Sequence, residues 1–379
     1  MREMDQEREM IRTLAQKTAQ KVVGPRASEI DESGEISRDL IESLGKQGLL
    51  SILLPEEYGG ANGDITSFCL VIEEIAKVCG SSALLILTQG MGSLPIELGG
   101  NGSQKERFFT RIAEEGDLIA FALSESAEGP RLATMNTSAR KEEKDYLLNG
   151  RKCFITNGGI ARIYTLFALT QPDRGREGVS AFILEDKTPG LCFGEKEKKI
   201  GMRGTLTADL ILNECRIPLE NLLGEEGEGW KIAMETLHRS GPAVGALAVG
   251  LAEGAIDYAT HYANERIQFG RPISSFQAIQ FMIADMATHT EAARALVYQA
   301  ARQVDAHSEG SEKYSAISKI FATDVAMQVT TDAVQILGGY GYMKDYPVER
   351  MMRDAKVTQV FGVTNQFQRW MIAQELMKG

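Results

Sequence analysis

The chain has 379 residues, with 41 Lys+Arg against 52 Asp+Glu for a formal charge of −11, and is 43% hydrophobic and 25% charged. This is the composition of a globular protein of two or three domains, each long enough to bury a core without disulfides or metals, and it excludes a mainly disordered chain. The acidic balance and the lack of any Lys/Arg-rich run exclude a nucleic-acid or anionic-membrane binder, because both need a positive footprint.

The N-terminal MREMDQEREM is amphipathic and mixed in charge, unlike a secretory signal or transit peptide, so a cytoplasmic protein is expected. Over 1–117 apolar residues recur at helical spacing, as at Phe68, Val71, Ile72 and Ile75. Asp64 is placed to cap that helix, and Ser103 with Glu106 has the pattern of a capping box for the next. An all-helical domain is predicted there. Over 118–224 the pattern changes to short β-rich runs at 119–123, 146–148, 153–156, 164–169, 179–184 and 210–212. Turn residues, including Asn149-Gly150 and Asn157-Gly158-Gly159, separate them. That spacing predicts a small antiparallel barrel or sandwich. Over 225–379 helical periodicity returns, predicting long helices near 230–267, 274–306 and 311–337 and shorter ones near 348 and 366. The longest apolar run, 241–252, is about half the length of a membrane span and reads as a buried helix packed through Gly and Ala. Cys69, Cys79, Cys153, Cys192 and Cys215 lack CxxC spacing and read as reduced thiols. The four histidines show no HExxH, and no metal site is expected.

No nucleophile elbow, P-loop or Rossmann GxGxxG is present, which turns attention to cofactor chemistry. Four clusters stand out. Phe154 and Thr156, flanking Ile155 before Asn157-Gly158-Gly159, lie two apart on a strand, so that a flat ring can stack on one and hydrogen-bond the other. Arg266 and Gln268 precede Phe269-Gly270, Phe276 and Gln277, where a guanidinium can pair with a pyrophosphate. Gln335, Ile336, Leu337, Gly338 and Gly339 lead into Tyr340-Gly341, and the glycines allow close approach of backbone to a ligand. Thr364, followed by Asn365 and Gln366, can cap a last helix whose N–H groups face an anion. Each cluster also has an ordinary structural reading as a strand end, a helix end or a cap.

Together and in this order, these residues resemble the acyl-CoA dehydrogenase family across the whole chain. Further matching motifs are Pro55-Glu56-Glu57-Tyr58-Gly59-Gly60, Arg203-Gly204, Ala284-Asp285-Met286, Pro347-Val348-Glu349-Arg350 and Arg353-Asp354-Ala355. The resemblance implies an α+β protein with an N-terminal helical domain, a middle β domain and a C-terminal four-helix bundle. It implies a homotetramer with FAD as cofactor, an acyl-CoA thioester as substrate and electron-transfer flavoprotein as electron acceptor. It places Phe154 and Ile155 against the flavin, Thr156 at its reactive edge and Ser124 on the ring. Arg266, Gln268, Phe276 and Gln277 are implied to hold the pyrophosphate and adenosine, with Gln335 to Gly339 and Thr364 to Gln366 as the remaining contacts and part of the set borrowed from a neighbouring subunit.

The substrate side departs from the pattern. Relatives carry a Glu base either at the position of Gly362 or, in a minority, on the first bundle helix at a position mapping onto Ser240-Gly241. Neither address holds an acid here, although the backbone N–H at Gly362 remains available to polarise a thioester carbonyl. The acyl pocket is implied to involve Leu84, Leu87, Thr88, Met91, Val244, Phe361 and Val363, and glycine at 362 and 241 suggests room for a branched, cyclic or otherwise bulky acyl group. The family's Thr-Glu-Pro-Gly-Ala-Gly-Ser-Asp motif appears as Ser124-Glu125-Ser126-Ala127-Glu128-Gly129-Pro130-Arg131, which puts Pro130 on the CoA side, and His238 stands where relatives have an Asp near the pantetheine. The expected function is oxidation of an unusual acyl-CoA, cyclic, branched or unsaturated. Two alternatives stay open: a non-oxidative elimination like that of the family's desulfinases, whose pocket Arg is Ala83 here, and a catalytically silent subunit binding FAD and acyl-CoA.

Overall fold

The computed structural model describes residues 2–125 and 135–377. Helices α1 (Arg2–Thr18), α2 (Ala27–Ser33), α3 (Arg38–Lys46), α4 (Ile65–Ala76), α5 (Gly80–Gly99) and α6 (Gly102–Thr110) come first. Helix α4 starts as expected, the Asp64 carboxylate accepting the Ser67 N–H at 2.7 Å. Helix α6 does not. Its capping box is Asn101 with Gln104, each side chain accepting the other's backbone N–H at 2.8 and 2.9 Å, and Ser103 with Glu106 lies within the helix. Position 104 wins because its amide also donates to the Glu220 and Leu222 carbonyls, tying the cap to the β domain.

The β domain holds β1 (Ile119–Ala122), β2 (Ser138–Lys141), β3 (Asp145–Thr156), β4 (Ile163–Leu169), β5 (Val179–Glu185), β6 (Leu191–Phe193), β7 (Thr207–Pro218) and β8 (Leu222–Leu223). They form one sheet in the order β6-β7-β3-β2-β4-β5-β8, with β1 beside β4. Pairing is antiparallel except that β1 and β2 each run parallel to β4. Asn149-Gly150 is not the turn its composition suggests: β3 continues through it, with a register shift between Leu148 and Gly150. Gly150 lies so close to Thr137 that a Cβ there would stand 2.6 Å from the Thr137 Cα, while Asn149 accepts the Glu214 N–H. Contact across the sheet, invisible in a local pattern, turns this dipeptide into a bulge.

The C-terminal helices are α7 (Gly229–Glu265), α8 (Gln277–Asp305), α9 (Ser311–Leu337), α10 (Pro347–Thr358) and α11 (Asn365–Leu376). A short hairpin of β9 (Ile267–Gln268) and β10 (Arg271–Pro272) separates α7 from α8. Helix α7 runs close against all three domains. A Cβ on Gly250 would stand 2.3 Å from the Glu73 carbonyl of α4, and one on Gly229 2.4 Å from the Ser180 backbone of β5. No described helix is long and apolar enough to cross a membrane.

Charged groups lock the domains together. Arg353 of α10 donates to both oxygens of Asp31 at 3.0 and 2.6 Å, to Glu349 and to the Ile200 carbonyl. Its neighbour Asp354, pushed up to about 6 by burial, accepts the Met202 N–H. Lys319 of α9, 1% exposed, donates to the Val363 carbonyl at 2.7 Å and to Asn365 Oδ1 at 2.8 Å, fastening the segment before α11. Burial pulls its pKa down from 10.5 to about 7, against the attraction of Asp324.

Two outcomes follow from these contacts. Arg353→Met strands the mostly buried Asp31 and Glu349 carboxylates and is expected to lower the unfolding free energy by about 3 kcal/mol; an unchanged urea midpoint would contradict the pairing. Folded Lys319 releases its proton near pH 7 whereas the unfolded chain keeps it to about 10.5, so between these values the unfolded state binds more protons and this group's contribution to stability rises with pH. Lys152 and Lys199 act in the same direction, so urea midpoints should climb from pH 7 to 9.5 less steeply in Lys319→Met than in the parent chain. Equal slopes would show that Lys319 is not the buried ammonium described.

Candidate functional site

The strand carrying Phe154 does not simply alternate. Lys152 pairs with Leu210 and Ile155 with Ala208, so Cys153 and Phe154 together oppose Asp209 in a second bulge. Phe154 has φ +56° and is 68% exposed, whereas the Ile155 side chain is buried, leaving only its backbone to face a ligand. Thr156 is also buried and pairs with Thr207; Ser124 is exposed, and its carbonyl accepts the Cys153 N–H at 2.9 Å. The bulge thus joins the strand of Phe154 and Thr156 to Ser124. Below it lies fully buried Lys152, whose ammonium donates to the Leu123 carbonyl and to Glu125, at 3.2 and 2.7 Å. Burial lowers its pKa to about 8, against the pull of Glu125. Pro130, with the rest of its motif from 126 to 131, falls outside the described residues.

A cavity of about 600 Å³ lies at the far end of α7, lined by Arg266, Gln268, Phe276, Ile336, Leu337, Gly338 and Gly339 together with Tyr262, Tyr340 and Met343. The hairpin that builds it turns at Phe269 and Gly270, both with positive φ, as a tight two-residue loop requires. Arg266 sits with its guanidinium carbon 5.1 Å from the centre of the Tyr340 ring, and among the described residues no carboxylate pairs with it. Gly338 and Gly339 present bare backbone, with nothing within 4 Å of where a Cβ would be. Gln277 and Gln335 are exposed on α8 and α9 without lining the cavity. An unpaired cation over an aromatic floor, beside open backbone, suits a pyrophosphate and a planar base. The Arg266 and Gly338 clusters meet within one chain, and no described β-domain residue lines this cavity.

A second cavity, of about 620 Å³, lies between the end of α5, the first turns of α7, the start of α9, and α11. Leu237, His238, Glu312, Ser315, Val363 and Gln368 are among its lining residues. His238 Nδ1 lies 3.2 Å from Glu235, whose carboxyl is drawn down to about 2 by His238 and by Arg239. The His238 Nε2 and Gln368 Oε1 atoms are buried without a hydrogen-bond partner among the described residues, so a ligand that satisfies them gains directly.

Beside this cavity Gly362 adopts φ +70°, and a Cβ there would meet only Leu237 Cδ2, at 3.9 Å. That space is open. The room expected at Gly241 is not: a Cβ there would stand 2.2 Å from Ser315 Oγ, which donates to the His238 carbonyl at 2.7 Å. Pro242 within α7 has no N–H for the carbonyl four residues back, and the Ser315 hydroxyl supplies the missing donor through the gap that Gly241 leaves. Ser240 carries a hydroxyl bonded to the Thr236 carbonyl, and Val244 is buried. On α5, Leu84, Leu87, Thr88 and Met91 are all buried, the Thr88 hydroxyl donating to the Leu84 carbonyl.

Phe361 is half-buried and Val363 buried, while Thr364 caps α11 by accepting the Phe367 N–H at 3.3 Å. Gln366 is exposed, but the Asn365 side chain is already engaged by Lys319, Thr323 and Asp324, so only its backbone is open to a cofactor. Lys319, Asp209 and Glu312 belong to none of the motifs visible in the sequence. Lysine within the apolar helical run of α9, and aspartate among the apolar residues of β7, were the available signals for the first two.

Matches to known proteins cover the same elements. Residues 5–116, 120–215 and 227–377 match family models described as acyl-CoA dehydrogenase N-terminal, middle and C-terminal domains. The chain is 46% identical to an acyl-CoA dehydrogenase of Bacillus subtilis, over 99% of both chains. It is 45% identical to a cyclohex-1-ene-1-carbonyl-CoA dehydrogenase of Syntrophus aciditrophicus, over all of this chain and 91% of that one. A chain in the structure described as "Electron transferring flavoprotein of Acidaminococcus fermentans" superimposes with a TM-score of 0.96 at 45% identity, over 98% of both chains. With its three domains matched in order and relatives of this identity along its whole length, the chain belongs to the acyl-CoA dehydrogenase family.

Proposed function

We propose that this protein is an FAD-dependent oxidoreductase of a bulky, cyclic or branched acyl-CoA, working without a carboxylate at the family's usual address. The observation that carries the reading is the open space at Gly362, beside a cavity that holds two unpaired polar atoms. The resemblance of the chain to a cyclohexenoyl-type dehydrogenase supports the cyclic choice. FAD, when bound, supplies the hydride acceptor. Arg266 would hold its pyrophosphate over the Gly338-Gly339 backbone, and Phe154, Thr156 and Ser124 would face the ring. Among the described residues these two sets share no cavity within one chain, which supports a homo-oligomer whose cofactor sites draw on two copies, up to the family's tetramer. A cytoplasmic enzyme passing electrons to electron-transfer flavoprotein completes the proposal. The Gly362 N–H polarises the thioester carbonyl, while residues 362, 240 and 241 offer no group that takes a proton at neutral pH.

Anaerobic titration with straight, branched and cyclic acyl-CoAs tests this. Bleaching of the flavin by the bulky class alone is expected; release of sulfite from a sulfinated acyl-CoA without bleaching would instead mark an elimination, and no change with any thioester a silent subunit. The purified protein should carry one FAD per chain, and Arg266→Ala should lose it, since a pyrophosphate charge is left unpaired. Retention of FAD by a monomer at low concentration would contradict the shared site.

Gly362→Glu places a carboxylate in the open space, at a cost of about 1 kcal/mol for the left-handed backbone. Straight-chain acyl-CoA oxidation is expected to rise at least about tenfold, short of the roughly 10² to 10⁴ that a well-tuned base provides because the new carboxylate is positioned but not tuned. Val363→Gly, restoring the residue that relatives carry there, should increase the gain. Variants that bind FAD and acyl-CoA without any gain would show that the missing base does not limit the chemistry.

A further inference from the structure

An aromatic residue with positive φ is strained by about 1 kcal/mol, and a bulge leaves N–H groups without their ladder partners, so Phe154 keeps its conformation only if something else holds it. In this bulge the Cys153 N–H goes to the Ser124 carbonyl, and the Phe154 N–H goes to a side chain, Asp209 Oδ1, at 3.0 Å. Asp209 is the residue directly opposite the two bulged ones. Its other oxygen accepts from Arg151 Nε at 2.7 Å, so the buried carboxylate lies beneath a largely exposed guanidinium. The carboxylate stands in for the ladder acceptor that the bulge removes, and with Phe154 so held its ring stays exposed.

We propose that Asp209 is a positioning residue that clamps the Phe154 amide and so holds the ring in the outward attitude in which it stacks on the cofactor. The inference rests on the reading of Phe154 as the flavin platform. It assigns to β7 a part in cofactor binding through a residue that itself touches no cofactor atom.

The test uses the FAD-loaded protein and the same protein stripped and reconstituted with FAD. Asp209→Ala should weaken FAD binding about tenfold and blur the fine structure of the flavin absorption band, the loss expected for one charge-assisted hydrogen bond. Phe154→Ala should do the same, and the double variant should be no weaker than Phe154→Ala alone. Asp209→Asn keeps the Oδ1 acceptor and should remain within about twofold of the parent. In the stripped protein, hydrogen exchange at the Phe154 amide should be slow in the parent and in Asp209→Asn and fast in Asp209→Ala. If Asp209→Ala does not fold, Arg151→Met loosens the carboxylate instead, and exchange at Phe154 and FAD affinity should shift together, by about threefold. Additive losses in the double variant, or unchanged FAD binding in Asp209→Ala, would overturn the proposal. An unaltered FAD affinity and spectrum in Phe154→Ala would remove the platform reading and this inference with it, whereas fast exchange in Asp209→Ala would still register the clamp, so the two failures are distinguishable.

Discussion

Both cavities depend on how closely α7 lies against its neighbours. The helix is 37 residues long, about 55 Å at 1.5 Å per residue, and its early turns carry Leu237 and His238 to one cavity while its C-terminal end delivers Arg266 to the other. Its lateral position is set by glycines: at Gly250 and Gly254 a Cβ would collide with the Glu73 and Lys77 carbonyls of α4 and the residue after it. A methyl group at either position would push α7 outward by a large part of an ångström, and both cavities would move with it. Arg294 of α8 reinforces the contact by bridging Glu73 on α4 and Glu253 on α7, at 2.9 and 2.6 Å. Shape, rather than sequence chemistry at the cavities themselves, therefore fixes where the polar atoms of the site point.

The same economy governs the segment around Gly362. Ahead of it, the Val360 and Phe361 N–H groups return to the Val357 carbonyl; behind it, Lys319 holds the Val363 carbonyl and Thr364 starts α11. A glycine between two anchored flanks is a fixed piece of backbone, so its N–H is held in a defined direction although the residue has no side chain. The Lys319 ammonium is costly to bury, but its protein acceptors are a carbonyl and an amide oxygen, both lost if the segment moves. This makes Lys319 a restraint on the geometry of the segment more than a source of stability.

What the sequence disclosed were the features written locally. Asp64 and Thr364 could be read as caps because a cap needs only its own helix, and the long helices of the bundle announced themselves by period. Asn149-Gly150 was misleading because its role depends on Thr137 across the sheet, and Ser103 lost to Asn101 because Gln104 finds acceptors in a different domain. Gly241 shows the limit most clearly. Read alone it is missing volume, yet that volume is filled by Ser315, more than seventy residues later, which answers a carbonyl that Pro242 leaves without a donor. Phe154 and Arg266 were visible as residue types, but the bulge that exposes the first and the cavity that isolates the second arise from strand register and helix ends.

Binding and proton transfer are separable in this site. The cavity beside Gly362 has the means to hold a ligand: apolar walls, a fixed backbone N–H nearby, and the unpaired His238 Nε2 and Gln368 Oε1. Its carboxylates are another matter. Glu235, drawn down to about 2, is too weak a base to take a proton efficiently at neutral pH. Among the described residues, the other carboxylates on this cavity are Glu228 and Glu312, the latter in the first turn of α9, and the His238 ring lies with them. Glu312 lies on α9 and His238 on α7, and the relative position of these helices is fixed by the Ser315 to His238 bond. On the proposed function, a substrate whose reacting carbon lies toward α9, away from the backbone at 362, would face Glu312. On that same reading, the walls of the cavity as well as the missing side chain would bear on which acyl groups react.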